Sequence, residues 1–376
     1  MSRTVVFFLL LAASLPCAAQ NEAPPRPALT SSVAAPAPMY RITFIQGEPI
    51  TGVSDSRKVA MPYECTSDGT AFVNIVLQPS IYSPPVEVLV AIPPSGQAHD
   101  FRLDQVTGLY DIMQKGHYAS ESGVVFLVIA APEDKQAKET FQTADGENHE
   151  VTRNIADHHD YLVIFDREGN YKRKVQIDDS FAVQRVGVFP SGAFLAFGFD
   201  KTDRSPRLTM LNEDGTLRRI EAIPKNSAPP SVFGTRDGTG KPAFFPNPVQ
   251  LVPNNDSIIV VQPKFPLLAV NESGAIRSIT PKLPDGKQVK MLIASDANLF
   301  ALINDISDGS IYELNPQDGN ILRRFRIEND TPGTDVACVH DAKFLSFTQG
   351  GGRLVPLIGT AKPIPDPASV PQPESQ

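Results

Sequence analysis

The stretch VGVFPSGAFLAFGFDKTDRSPRLTMLNEDGTLRRI, residues 186–220, decides the fold class of this chain. Its short apolar runs are separated by Pro-Ser-Gly at 190–192 and by Asn-Glu-Asp-Gly at 212–215. Apolar runs broken by such turn-forming residues are typical of β-strands joined by hairpins, and the spacing of a helix is absent. The stretch therefore predicts most of a four-stranded antiparallel unit.

The same order of strands and turns recurs along the chain. A first turn occurs at 68–69, 122–123, 191–192, 255–256, 296–297 and 341–342, and a later turn at 95–96, 168–169, 214–215, 273–274 and 318–319. Six first turns against five later turns indicate that the last unit lacks its fourth strand. Residues 40–45 supply a spare strand, and we expect Ile42–Ile45 to pair alongside Leu354–Ile358 and so close a ring.

This pattern resembles the six-bladed β-propellers of the NHL-like and TolB-like group over residues 40–362. The resemblance implies an all-β, six-bladed propeller closed by the N-terminal strand. Seven blades are the alternative, if the long second unit, 106–178, contains an extra one. A likeness at the level of the fold predicts architecture and leaves function open.

The two ends of the chain differ in composition from the repeat. Residues 1–19 have the pattern of a secretory signal peptide cleaved near Ala19, which predicts an extracytoplasmic protein, periplasmic or secreted. A lipoprotein acylated at Cys17 is disfavoured, because Pro16 occupies the place of the expected small residue. Proline-rich segments at 20–39 and 363–376 predict a linker and a disordered tail, and no later window is apolar enough to be a transmembrane segment.

Charge and loop length restrict the classes of function. The chain has 34 basic and 42 acidic residues, and this net charge of −8 argues against nucleic acid as a partner. In a four-stranded blade, the connections between the second and third strands and between blades share one face of the disc. All long connections of this sequence fall in that class, so the long-loop face is the predicted binding face.

The segment 132–160 is the longest insertion on that face. It has eight acidic residues against three basic ones, together with three of the six histidines. We expect either a solvated, mobile loop or an acidic lip that attracts a cationic partner. Asp157 and His159 could share a metal ion, although a metal site is not the preferred interpretation.

No motif of a nucleophilic, nucleotide-binding or zinc-dependent enzyme is present. The loop-face ends of the innermost strands would carry a ring of polar residues, which could hold a small ligand or a calcium-like divalent cation. The ring consists of Asp111, Gln184 or Arg185, Asn247, Gln288 or Lys290, and Asp335. It has only two carboxylates, so we predict no resident cofactor.

Cys65 and Cys338 are the only cysteines after residue 17. Each lies three residues before the aspartate of a first turn, in units that are neighbours where the ring closes. An oxidising compartment favours a disulfide between them, with two buried thiols as the alternative if the strands lie too far apart.

The sequence thus predicts a monomeric, non-catalytic binding module for a protein, glycan or small ligand. The alternative is a divalent-metal-dependent lactonase-like or other hydrolase with its site in the central channel. We lean away from an enzyme, because the catalytic motifs are absent.

Overall fold

The computed structural model describes residues 37–50, 56–77, 86–94, 97–132, 136–154, 157–203, 206–219, 249–262, 266–284, 287–295, 298–303, 310–327, 336–350 and 353–365. Within these ranges the chain is built of β-strands and turns, with one short 3-10 helix at Leu103–Gln105. No helix long and apolar enough to cross a membrane occurs in the described part of the chain.

The strands of the first half of the chain fall in the order that the turn pattern predicts. They are β1 (Met39–Gln46), β2 (Ser56–Cys65), β3 (Ala71–Leu77), β4 (Val86–Ile92), β5 (His99–Phe101), β6 (Leu109–Ser120), β7 (Gly123–Pro132), β8 (Gln136–Gln142), β9 (Asn148–Asn154), β10 (His159–Phe165), β11 (Tyr171–Gln176), β12 (Phe181–Val188), β13 (Phe194–Asp200), β14 (Pro206–Leu211) and β15 (Leu217–Arg219).

The second half continues the same order. Its strands are β16 (Gln250–Asn254), β17 (Ser257–Val261), β18 (Leu267–Asn271), β19 (Ile276–Ile279), β20 (Val289–Ser295), β21 (Asn298–Ile303), β22 (Ser310–Leu314), β23 (Ile321–Ile327), β24 (Cys338–His340), β25 (Lys343–Gly350) and β26 (Arg353–Pro363).

Four separate sheets have four strands each: β2-β3-β4-β5, β6-β7-β10-β11, β12-β13-β14-β15 and β16-β17-β18-β19. A fifth sheet has eight strands in the order β20-β21-β22-β23-β1-β26-β25-β24. Strands β8 and β9 form a two-stranded sheet of their own. The all-β, propeller-like prediction is confirmed. Six blades result only if the eight-stranded sheet is counted as two, so that number stays a prediction.

The first strand of each unit contacts the first strands of its neighbours in a closed cycle. The cycle runs β2, β6, β12, β16, β20, β24 and back to β2. Buried apolar residues of the described chain form clusters between neighbouring sheets, one of them between the sheets that contain Cys338 and Val73. The core therefore lies between the sheets, and the innermost strands surround a central channel.

Strand β1 closes the ring. It pairs antiparallel with β26, Ile45 opposite Ile358 and Ile42 opposite Ala361, and parallel with β23 on its other edge. The expected pairing of the two segments is present, but the partner of Ile42–Ile45 is shifted from 354–358 to 358–361. Strand β1 begins one residue before the predicted start of the propeller at 40, and β26 ends one residue after its predicted end at 362.

The segment 132–160 differs from the predicted mobile loop. Residues 136–154 fold into the β8–β9 hairpin, whose turn uses Gly146 at a φ of +89°. These two strands do not join the second sheet, so the extra residues form a hairpin and no additional four-stranded blade. The connections on the opposite face are two to six residues long.

Candidate functional site

Two groups of polar side chains lie where the second sheet meets its neighbours. The first, which we call the hairpin foot, comprises Asp111, Lys115, His158, His159, Asp160 and Asp179. The second, which we call the channel cluster, comprises Glu64, Tyr118, Gln184 and Arg185. Both depend on irregularities in the innermost strands.

The hairpin foot lies where the β8–β9 insertion returns to the second sheet. His158 Nε2 lies 3.0 Å from Asp111 Oδ2, and His159 Nδ1 lies 2.8 Å from Asp179 Oδ1. Successive side chains of a strand point in opposite directions, which is why the two histidines have partners on different elements. The contacts connect the hairpin to both β6 and the start of β12.

Asp160 completes the hairpin foot from β10. Lys115 Nζ donates to Asp160 Oδ1 at 2.9 Å and to the carbonyl of Val183 at 2.8 Å. Lys115 is the extra residue of a register shift between Gln114 and Gly116, so its side chain leaves the regular alternation of β6. The bulge thus aims an ammonium group from the second sheet at the third.

A second irregularity on β6 positions Asp111. The register of β6 shifts between Tyr110 and Met113, and Asp111 has a φ of +53°. Aspartate tolerates this left-handed conformation better than most residues. The local strain turns its carboxylate toward His158, and strain of this kind is found at functional sites more often than elsewhere.

The hairpin above this foot is open to solvent on both faces. One face carries Phe141 and Val151, 50% and 44% exposed, with the ring of His149 stacked 5.7 Å from that of Phe141. The other face carries the ion pair between Lys138 and Glu150, at 2.9 Å. An isolated two-stranded sheet of this kind is marginally stable in water.

The channel cluster joins three innermost strands. The amide of Ala119 on β6 donates to Glu64 Oε2 on β2, and Tyr118 Oη donates to the carbonyl of Gln184 on β12 at 3.2 Å. Gln184 is the extra residue of a register shift between Val183 and Arg185, so its carbonyl is available outside the ladder. Arg185 Nη1 donates to the same carbonyl at 2.8 Å.

Burial perturbs the acid–base properties of this cluster. It raises the pKa of Glu64 to about 8, although the Ala119 amide and the Arg185 charge act in the opposite direction. Burial likewise raises the pKa of Tyr118 to about 12, against the effect of Arg185. On the same strand, burial lowers the pKa of His117 to about 4. Perturbed groups of this kind are a physical indication of a functional site.

Glycine at position 116 makes room for the cluster. A Cβ there would lie 2.9 Å from Tyr118 Oη, which is closer than real Cβ contacts. Any larger residue at position 116 would therefore displace the hydroxyl that bonds to Gln184. The close approach explains why a strand position adjacent to a bulge carries glycine.

The remaining predicted ring residues do not join either group in the described chain. Lys290 is exposed on β20, Gln288 is exposed just before it, and Asn247 and Asp335 lie outside the described residues. Asp157 is exposed and His159 is paired with Asp179. The described residues contain no group of three or more His, Cys, Asp or Glu side chains that could hold a metal ion.

Sequence reasoning did not identify Glu64, Tyr118, Lys115, Asp160 or Asp179 as site residues. The two bulges that aim Lys115 and Gln184 produce no recognisable pattern of residues. One signal could have identified Glu64 and Tyr118. The predicted blade order places β2, β6 and β12 in sequence around the ring, which brings both residues close to Arg185.

The two cysteines lie where the ring closes. Cys65 on β2 and Cys338 on β24 form a disulfide with their Cα atoms 5.2 Å apart. The distance between neighbouring innermost strands is therefore compatible with the bridge, which was the geometric condition for it.

No protein-family model matches this chain, and neither does any curated protein. Solved structures with a similar arrangement include glutaminyl cyclase from Myxococcus xanthus, at 8% identity, TM-score 0.36, 88% of this chain and 100% of that one. Another is virginiamycin B lyase from Staphylococcus aureus, at 11% identity, TM-score 0.36, 84% of this chain and 99% of that one. A third is prolyl oligopeptidase B from Galerina marginata, at 10% identity, TM-score 0.38, 79% of this chain and 48% of that one. At this level of similarity they carry no argument about what this chain does.

Proposed function

We propose that this protein is a six-bladed, extracytoplasmic binding module that holds a partner protein on the β8–β9 hairpin. The observation that carries the proposal is the exposed face of the hairpin, where Phe141 and Val151 flank the ring of His149. Exposed aromatic and aliphatic side chains next to each other are typical of protein contact surfaces.

The charge of the hairpin indicates the kind of partner. Its four acidic residues, Glu139, Asp145, Glu147 and Glu150, outnumber Lys138 and Arg153, and the whole insertion is more acidic still. An acidic surface around an apolar centre favours a partner with a basic rim, because complementary charge accelerates association and selects the orientation.

Two further properties support the wider proposal. The cycle of six innermost strands supports counting the eight-stranded sheet as two blades. The disulfide between Cys65 and Cys338 supports an oxidising compartment, since such bonds are reduced in the cytosol. The channel-metal hydrolase stays an untested alternative, and no contact in the described chain favours it.

The proposal is tested by comparing two faces of one hairpin. The protein and its Phe141→Ser/Val151→Ser variant are used as bait for proteins of the native envelope, with quantification by mass spectrometry. We expect the variant to lose the specific partner, and the recovered partner to bind the wild type less tightly at high salt. Thr140→Ala/Gln142→Ala, on the opposite face, is the matched control.

The result is interpreted only where the variants melt at the same temperature as the wild type. Equal capture by the wild type and the Phe141→Ser/Val151→Ser variant would refute the role of the hairpin. Loss in the control variant alone would place the contact on the opposite face.

A further inference from the structure

The channel cluster has a cationic group without a carboxylate partner. Arg185 lies on the innermost strand β12 and is only partly buried. Its hydrogen bond within the described chain goes to the carbonyl of Gln184, and its charge acts on the hydroxyl of Tyr118 and on the carboxyl group of Glu64. Among the described residues, no carboxylate lies within 4.0 Å of its guanidinium, which is the limit for an ion pair.

Within the described chain, most of the donors of that guanidinium are unused. Arginine has five N–H donors in a planar fork, and one of them donates to the Gln184 carbonyl. The fork matches the two oxygens of a carboxylate, which it binds through parallel hydrogen bonds. The Gln184 carbonyl and the Tyr118 ring restrict the orientation of the side chain before a ligand arrives.

The charge of Arg185 acts on Glu64, but the two groups form no ion pair within 4.0 Å. One oxygen of Glu64 accepts the amide of Ala119, and burial raises the pKa of this group to about 8, which favours its neutral form at neutral pH. A neutral carboxyl group donates a hydrogen bond and carries no charge. The cluster therefore presents one positive charge on β12 and one neutral acid on β2, the innermost strands on either side of β6.

We propose that Arg185 binds the carboxylate of a small organic acid in the central channel, with Glu64 and Tyr118 beside it. A monoanion is favoured over a phosphate, because the ammonium group of Lys115, which also contacts β12, is already paired with Asp160. One uncompensated positive charge balances one carboxylate. The site is independent of the hairpin surface and is tested without the partner protein.

The test uses a library of fluorinated carboxylic acid fragments, each with its matched primary amide, detected by fluorine NMR line broadening on the full protein. We expect a subset of the acids to bind while their amides do not. Arg185→Gln should weaken that binding at least tenfold, and Arg185→Lys at least threefold, since lysine retains the charge and lacks the fork. Glu64→Gln should change it less than twofold, because the amide is also neutral.

Arg218→Gln is the matched control, since Arg218 lies on the outermost strand β15 and donates to the carbonyl of Glu272. It should leave binding unchanged. Absence of binding by every acid, equal binding of acids and amides, or retention of binding in the Arg185→Gln variant would each overturn the proposal. Displacement of the bound acids by equimolar inorganic phosphate would overturn the preference for a monoanion.

Discussion

The seam where β1 meets β26 inside the eight-stranded sheet and the junction between the second and third sheets have opposite chemistry. At the seam, Ile42 is fully buried among Phe325 and Phe344, whose rings lie 5.0 Å apart. At the junction, Lys115 and Tyr118 reach across to backbone carbonyls of β12. Apolar contact supplies stability at the seam, whereas half-buried polar contacts join the two sheets at the junction.

The largest expected effect is a charge placed in the seam. Ile42→Asp should lower the free energy of unfolding by about 4 kcal/mol or more, because it buries an unpaired carboxylate. Ile45→Asp, on the same strand but 65% exposed, should change it by less than about 0.5 kcal/mol. Urea unfolding followed by circular dichroism measures both. Equal losses would show that β1 does not seal the seam.

The disulfide is expected to have the next largest effect. Replacing Cys65 and Cys338 with alanine should cost about 3 kcal/mol of stability, which is the middle of the range that a single disulfide typically contributes. A reductant should lower the melting temperature of the wild type and leave the double variant unchanged. A wild type insensitive to a reductant that demonstrably breaks the bridge would contradict this expectation.

A smaller effect is expected at the junction. Lys115→Met should cost about 2 kcal/mol, because it leaves Asp160, whose side chain is 14% exposed, without its ammonium partner. Adding Asp160→Asn should restore part of that loss. Lys172→Met is the control, since Lys172 is 57% exposed and its partner Asp166 also accepts the amide of Asn170, so this pair should contribute less than about 1 kcal/mol. Equal losses of stability in the Lys115→Met and Lys172→Met variants would show that the ion pair at the junction contributes no more than an exposed one.

The last expected effect is a trend with pH, which comes from Glu64. Its pKa in the folded protein, about 8, is above the ordinary value of 4.5, so the folded state binds the proton more tightly than the unfolded chain. This contribution to stability is complete below pH 4.5 and is lost as the pH rises toward 8. Glu64→Gln should therefore gain stability relative to the wild type as the pH rises from 5 to 8.

Unfolding in urea at several pH values checks this difference. Glu168→Gln, at an exposed turn, should show no such trend. A constant difference between Glu64→Gln and the wild type would mean that the carboxyl group of Glu64 is ionised over the whole range.

The sequence predicts the parts of this fold that are encoded locally. The turns around Asp68, Gly192 and Gly215 specify hairpins, and counting them was enough to identify β1 as the missing strand. Cys65 and Cys338 occupy the same position before equivalent turns, and this was enough to identify them as the candidate pair for a disulfide. These inferences depend on the alternation of apolar and polar residues in strands and on the residue types of turns. Both can be recognised in short stretches of sequence.

The site was less accessible to the same reasoning. Lys115 and Gln184 lie in bulges, and a bulge reverses the alternation from which the direction of a side chain is inferred. The contact of Glu64 with Ala119 joins residues of different sheets, so it exists only after the ring has closed. The β8–β9 hairpin escaped prediction because both of its faces are exposed, and it therefore lacks the apolar and polar alternation of a buried strand.

The pairing of β1 with β26 has a consequence for the order of events during synthesis. Tyr40 leaves the ribosome early, whereas its partner Pro363 is made after all the other strands. The edges of β1 stay unpaired until β23 and then β26 have been made, and unpaired strand edges are prone to associate with other chains. We therefore expect truncations before β26 to aggregate.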